Sequence, residues 1–298
     1  MFRRVWATNG AIDPEARDSR PVIDLGIITG SGIYEFPGDS ETQLVENDFG
    51  QAKVAVSRVG PWTVGSISRH QSGHRHLSHT IPHRANLTAL KQLGARAVLA
   101  TTAVGAVDPG VTLGRPILFD DLFFPANALP NGEACTIFTS PGDPERGHLI
   151  WTEPFAPRLR RKLGLAAGEL GFEVTSSGIY GHTSGPRFET RAEIRLLGAA
   201  GVTAVSQTCG PETVLAGELG ISYALAGFPV NYATGVADHG PEEELRRLLA
   251  LSSEIMPRLV SRAAQILEEE DLVFDHGYVY RFDRGVQADA GPGQSGGV

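Results

Sequence analysis

Two cysteines in 298 residues, Cys135 and Cys209, are too few for a disulfide scaffold and lack the paired spacing of a zinc site. They could form one bridge at most. Basic residues are in deficit, with Lys+Arg 26 against Asp+Glu 34, a net charge of −8 and no basic block. Phosphate neutralisation drives nucleic-acid binding, so no nucleic-acid partner is expected. Long apolar runs are missing too. None reaches the ~18–20 residues a membrane span needs. Residues 1–20 carry charge but no apolar core of a secretory signal. These absences predict a cytoplasmic protein without a membrane partner.

What is present is a 41% hydrophobic chain, enough for a sizeable core, with 36 glycines and 19 prolines that imply many turns. The length fits one large α/β domain or two small ones. We read residues 1–20 as a polar leader, 21–284 as the folded domain, and 285–298 as a flexible Gly/Ser/Gln-rich tail. No repeat or linker divides the middle.

Apolar, β-branched residues 22–29 predict a strand that ends at Gly30-Ser31-Gly32. KVAVSRV and TVGSIS, separated by Gly60-Pro61, predict a hairpin. Pro82 opens a helix that Gly94 stops, followed by the strand AVLATTAVG. Three more helix–strand units follow: PRLRRKLGLAAGELG to FEVTSSGIYG, ETRAEIRLLGAAG to TAVSQT, and GPETVLAGELG to ISYALAGFPVNYA. A last helix over 241–270 carries Leu245, Leu248, Leu249, Leu251, Ile255, Leu259 and Ile266 on a broad apolar stripe. Alternating helices and buried strands predict a sheet covered on both faces, with ligands beyond the carboxyl ends of its strands.

Several residues at those ends carry chemistry. Ser31 in its glycine turn suits an anion, through close backbone N–H groups and a hydroxyl; a plain tight turn is the alternative. The turn is neither a phosphate-binding Gly-Lys loop nor a full GxGxxG, and no ribose carboxylate follows, which argues against a dinucleotide oxidoreductase. Arg69-His70 ends a strand and suits phosphate, although a surface ion pair is the commoner fate of a lone arginine. His79 and His83 have metal-chelating spacing if helical, but Pro82 lies between them and no acid or cysteine joins them. Thr101-Thr102-Ala103 offers hydroxyls at another strand end, or is ordinary strand composition. Phe188 could stack on a heterocycle, and Glu189 could accept ring N–H groups or favour a helix start. Asn231 ends an apolar strand, where a buried amide demands partners or a turn begins.

In register along one chain, IITGSGIYE, SRHQSGHRH, RANLTALKQLGARAVLATTAVG, SGPRFETRAEIRLL and SQTCGPETVLAGELGISYA resemble the nucleoside phosphorylase family that holds purine nucleoside phosphorylase and 5′-methylthioadenosine phosphorylase. The resemblance spans about 24–267. It implies a single α/β domain whose central mixed, partly barrel-like β-sheet is flanked by helices. It further implies a phosphate site of Ser31, Arg69, His70, Thr102 and the Ala103 backbone, and a base site of Phe188, Glu189 and Asn231. Gln207 and Thr208 fall where relatives contact ribose, although most relatives have Met at the position of Gln207. His148 matches a residue lent by a neighbouring subunit to the 5′ end of the nucleoside, hence an expected homotrimer. His239, Pro241 and Leu245 would also border that end.

The implied activity is phosphorolysis, with phosphate as co-substrate and neither cofactor nor metal; Ser31, His70 and Asn231 are its expected catalytic residues. Donors on the leaving base and bound phosphate would stabilise an oxocarbenium-like transition state. Methylthioadenosine enzymes typically carry Asp and Ser where this chain has Asn231 and Glu189, and a second acid where it has Ala233. An ionised Glu189 accepts N1–H of hypoxanthine or guanine but repels adenine N1. The expected substrate is therefore a 6-oxopurine nucleoside, namely inosine, guanosine or 5′-methylthioinosine. The alternatives are a 5′-methylthioadenosine-type phosphorylase, a hydrolytic nucleosidase and a non-catalytic nucleoside-binding protein.

Overall fold

A computed structural model describes residues 22–33, 40–237 and 240–281. The expected leader, the tail and His239 lie outside the described residues. The strands are β1 Leu25–Thr29, β2 Glu41–Asn47, β3 Gly50–Val59, β4 Trp62–Ser68, β5 Ala97–Ala106, β6 Ile117–Leu118, β7 Asp121–Phe123, β8 His148–Trp151, β9 Ile179–His182, β10 Ala204–Ser206, β11 Ser222–Tyr232 and β12 Gly277–Tyr280. The helices are α1 His83–Leu93, α2 Pro157–Glu169, α3 Arg191–Ala199, α4 Cys209–Glu218 and α5 Glu242–Gln265.

Strand β5 is the hub. Over its whole length it pairs in parallel with β11. Its other edge takes β1 in parallel at Ala97–Ala100, then β10 antiparallel at Gly105 and Ala106. From β1 the sheet runs outward through β4, β3 and β2. From β10 it runs through β9 to β7. Strand β6, just before β7 in the chain, pairs back onto β11. Ten strands thus form one mixed sheet with a part closed on itself, the partly barrel-like sheet expected from the sequence. Strands β8 and β12 form a separate antiparallel pair.

Burial on both sides of β5 and β11 explains their near-continuous apolar sequences. One face is covered by α1 and α4, whose Leu87, Leu90, Leu93 and Leu215 join the largest core. The other is covered by α2 and α5 through Leu159, Leu163, Leu248, Met256 and Leu259. A small cluster of Ile194, Leu197, Val205 and Ala233 seats α3. Burying a leucine of this kind contributes about 1.5–3 kcal/mol.

Helix limits follow local chemistry. Gly94, at φ 107°, ends α1 by donating its N–H to Leu90 and Lys91 carbonyls. Thr190 and Glu193 form a capping box that starts α3. Several expectations need correction. The first strand begins at Leu25 because Val22 is exposed. Residues 172–178 are irregular, joined to β6 only by a bridge at Thr175, so just Ile179–His182 forms the strand. Helix α5 stops at Gln265, and a separate 3₁₀ turn covers Glu269–Leu272. Both cysteines are buried and free. Among the described residues no helix is long and apolar enough to cross a membrane.

Candidate active site

Strands β1, β4 and β5 run parallel, with Thr29 beside Ser68 and Ile28 beside Ala100, so their carboxyl ends converge. After β1 the chain turns through Gly30–Gly32, fastened where Thr29 Oγ1 donates to the Ile33 carbonyl at 2.8 Å. The Gly30 N–H donates to Thr101 Oγ1 at 3.4 Å. A Cβ on Gly30 would stand 3.0–3.3 Å from the Thr101 carbonyl, Thr102 Cα and Arg69 Nη1, so a larger residue would press on the neighbouring strand end. Ser31 is half-buried at its tip.

Arg69 ends β4 but does not behave as a surface cation. It is fully buried, with Nε and Nη2 holding the Glu212 carboxylate at 2.5 and 2.8 Å. Nη1 donates to the Thr101 carbonyl at 3.0 Å and is the atom that faces Gly30. Tyr223 Oη also donates to Glu212, at 2.8 Å. Burial alone would push the Glu212 carboxyl up, but Arg69 beside it holds it well below the usual carboxylate range. Glu212 sits in the first turn of α4, so the sequence disguised it as an ordinary helix-start acid.

His70 follows Arg69, with Nδ1 2.7 Å from the His76 carbonyl and its ring stacked on His74. Burial and the Arg69 charge push it down to about 4, so the ring is neutral at pH 7. Because a carbonyl can only accept, Nδ1 carries the proton and Nε2 keeps its lone pair. Thr102 is buried and shares a 3.0 Å hydrogen bond with Ser206 of β10. Ala103 follows it, half-buried. His79 is exposed on a 3₁₀ turn, whereas His83 is buried at the start of α1, 3.7 Å from Glu212. Their spacing therefore does not fall within one helix.

The second half of the site follows β9 and β10. Glu189 is buried, and Oε1 accepts from Thr183 Oγ1 and, at 3.4 Å, from Gln207 Nε2. Phe188 beside it is 82% exposed, an apolar plate open to solvent. Thr208 is buried at the foot of α4. Asn231 pairs with Gly105 at the end of β11. Its side chain is exposed and donates to the Tyr232 carbonyl at 2.9 Å, so it is not the buried amide expected from the strand pattern. Ala233 lies buried, and its N–H donates to the Ala106 carbonyl at 2.8 Å. His148 is exposed on β8 and lines a cavity of about 460 Å³ with Cys135, Trp151 and Glu218.

Sequence reasoning missed Glu212, Thr183, Ser206 and Ser78, the last buried and bonded to Gln207. Short hydroxyl residues at strand ends are too common to stand out. The glycine turn, the strand-end Arg-His, the threonine pair of β5, Phe188-Glu189 and Asn231 marked the neighbourhood, but not these partners.

A glycine turn, a buried strand-end arginine and a carboxylate loop around a partly closed mixed sheet define the class, an α/β enzyme of the nucleoside phosphorylase type. Residues 24–269 match the phosphorylase superfamily, and the chain belongs to it. The 6-oxopurine nucleoside phosphorylase of Pyrococcus furiosus is 33% identical, over 83% of this chain and 94% of that protein. S-methyl-5′-thioadenosine phosphorylase of Mycobacterium tuberculosis is 34% identical, over 83% and 90%. A probable S-methyl-5′-thioinosine phosphorylase of Methanopyrus kandleri is 35% identical, over 82% and 90%. Among solved structures, methylthioadenosine phosphorylase of Schistosoma mansoni in complex with adenine superposes with a TM-score of 0.71 at 26% identity, covering 81% of this chain and 90% of that one.

Proposed function

We propose that the protein catalyses phosphorolysis of a 6-oxopurine nucleoside, giving the free base and ribose 1-phosphate or its 5-modified form. The observation that carries this reading is Glu189. Its Oε1 is held by two donors, while Oε2 has no hydrogen-bond partner among the described residues of a side chain that is 8% exposed. Such an oxygen suits the N1–H of hypoxanthine or guanine.

In this reading the turn at Ser31, with Arg69, Thr102 and the Ala103 backbone, binds phosphate. His70 Nε2, having a lone pair, accepts a hydrogen bond from a hydroxyl of the phosphate. A phosphate oxygen attacks C1′ as the C1′–N9 bond breaks, the bond pair passes to the purine, and the base takes up a proton from solvent as it leaves. Asn231 turns from its Tyr232 carbonyl to donate to O6 and stabilise the charge that develops on the base. Phe188 covers the base, Gln207 and Thr208 border the ribose, and His148 serves the 5′ end of a neighbouring copy's nucleoside in a homotrimer.

A 6-aminopurine substrate is the second reading, favoured by the relatives named S-methyl-5′-thioadenosine phosphorylase. Adenine N1 is an acceptor and would require a protonated Glu189. Product analysis decides between them, with inosine, guanosine, 5′-methylthioinosine, adenosine and 5′-methylthioadenosine, each with and without phosphate. Phosphate-dependent release of hypoxanthine or guanine is expected. Release of adenine alone would overturn the 6-oxo assignment, and phosphate-independent release would replace phosphorolysis by hydrolysis.

A further inference from the structure

Gln207 adopts a geometry that a simple sugar contact does not need. Its Nε2 donates to the Arg187 carbonyl at 2.8 Å and to Glu189 Oε1 at 3.4 Å, while Oε1 accepts from Ser78 Oγ at 3.0 Å. The amide cannot be reversed at no cost. Reversal would set its carbonyl oxygen against another carbonyl and a carboxylate, neither of which can donate. The chain makes room for it at Gly185, where φ is 59° and any Cβ would collide with the Gln207 amide and with Ser78. Three segments distant in sequence are therefore clasped by one side chain: the 3₁₀ turn Ser78–Thr80, the loop 185–189 and the end of β10.

Thr183 and Gln207 both load Glu189 Oε1, and neither touches Oε2. Two donors on one oxygen fix the carboxylate plane and leave Oε2 to accept from a ligand. We infer that Gln207 is a positioning residue for base selection, with Thr183 as its partner: it orders Glu189 so that the site takes a purine with a donor at N1 and rejects one with an acceptor there. This inference rests on the placement of the base at Glu189 proposed above, and it adds a role toward the base to the place of Gln207 beside the ribose.

The test measures equilibrium binding of free hypoxanthine and free adenine, which needs no turnover, beside phosphate-dependent base release by the wild-type protein. Gln207→Met keeps an unbranched chain but supplies no donor. It should lower the hypoxanthine-to-adenine affinity ratio by about tenfold, as expected for a lost hydrogen bond to a charged group, and leave phosphate binding unchanged. Gln207→Glu keeps the shape should the first variant fold poorly. It sets a carboxylate against the Arg187 carbonyl and Glu189, neither of which can donate to it, so the clasp opens and the ratio should fall as it does for Gln207→Met. Thr183→Val should lower the ratio as well. The inference is overturned if these ratios stay within twofold of wild type, or if both bases weaken equally. Failure of the phosphorylase reading is seen separately, as wild-type protein that binds bases but releases none with phosphate.

Discussion

In the proposed reading Glu189 and Asn231 carry the discrimination between bases, and variants of both lower the ratio of 6-oxopurine to 6-aminopurine activity. Glu189→Ala should cut kcat/KM for 6-oxopurine nucleosides by about 10- to 100-fold, since a buried hydrogen bond to a charged group is worth about 1.5–3 kcal/mol. Activity on 6-aminopurines should change little; equal loss on both classes would make Glu189 structural. Asn231→Asp should move preference toward 6-aminopurines, read as the same ratio. Beneath them, Glu212 holds Arg69 in place. Removing it as Glu212→Ala leaves a buried guanidinium without its partner and should cost about 3–5 kcal/mol in chemical unfolding. Glu212→Gln keeps the shape and should raise KM for phosphate while base selectivity stays. The arginine was legible in the sequence as an anion-type residue, but its burial was not. Nothing local marks a carboxylate that waits 143 residues further on.

The capping box of α3 directly follows Glu189 in the chain. Thr190→Ala should destabilise the protein by about 1 kcal/mol, seen as a drop of a few degrees in Tm. Because Glu189 is fastened by Thr183 and Gln207 instead, the base ratio should survive; its collapse would mean that the cap positions the carboxylate. This helix shows why most elements were readable. Periodicity, Pro at starts and Gly at stops act within a few residues, so all five helices and the central strands appear in the sequence. Strands β2, β6, β7, β8 and β12 escaped notice because four of them have four residues or fewer, and β2 exposes most of its side chains. Their existence depends on partners brought from elsewhere, such as β11 for β6. The closure of the sheet was expected through the family resemblance; no local pattern encodes it.

Acid should unfold the molecule before it silences the chemistry. Burial and the Arg69 charge lower His70 to about 4, and burial with the neighbouring His83 lowers His182 to about 3. Both bind protons more readily when unfolded, near 6.5, so their stability is present above that pH and lost as pH falls toward 4. Each contributes a slope of about 1.4 kcal/mol per pH unit in that window. Denaturant midpoints between pH 7 and 4.5 should fall accordingly, and His182→Phe should remove one such slope. Assembly is measurable as well. A homotrimer with His148 at a shared site predicts that active protein sediments as a trimer, and a fully active monomer would remove that role.

The ion pair between the end of β4 and the first turn of α4 also governs the order in which the protein becomes competent. Contacts of such separation form late, after the intervening chain has been closed into a loop. During synthesis the glycine turn and the arginine emerge early, yet the carboxylate that orients the guanidinium follows only after two-thirds of the chain has been made. A nascent chain halted before α4 would carry every residue of the proposed phosphate site and still lack the carboxylate that orders its arginine. Ligand retention by stalled chains of increasing length should therefore appear as a step at α4 and the β11 tyrosine behind it, not as a gradual rise.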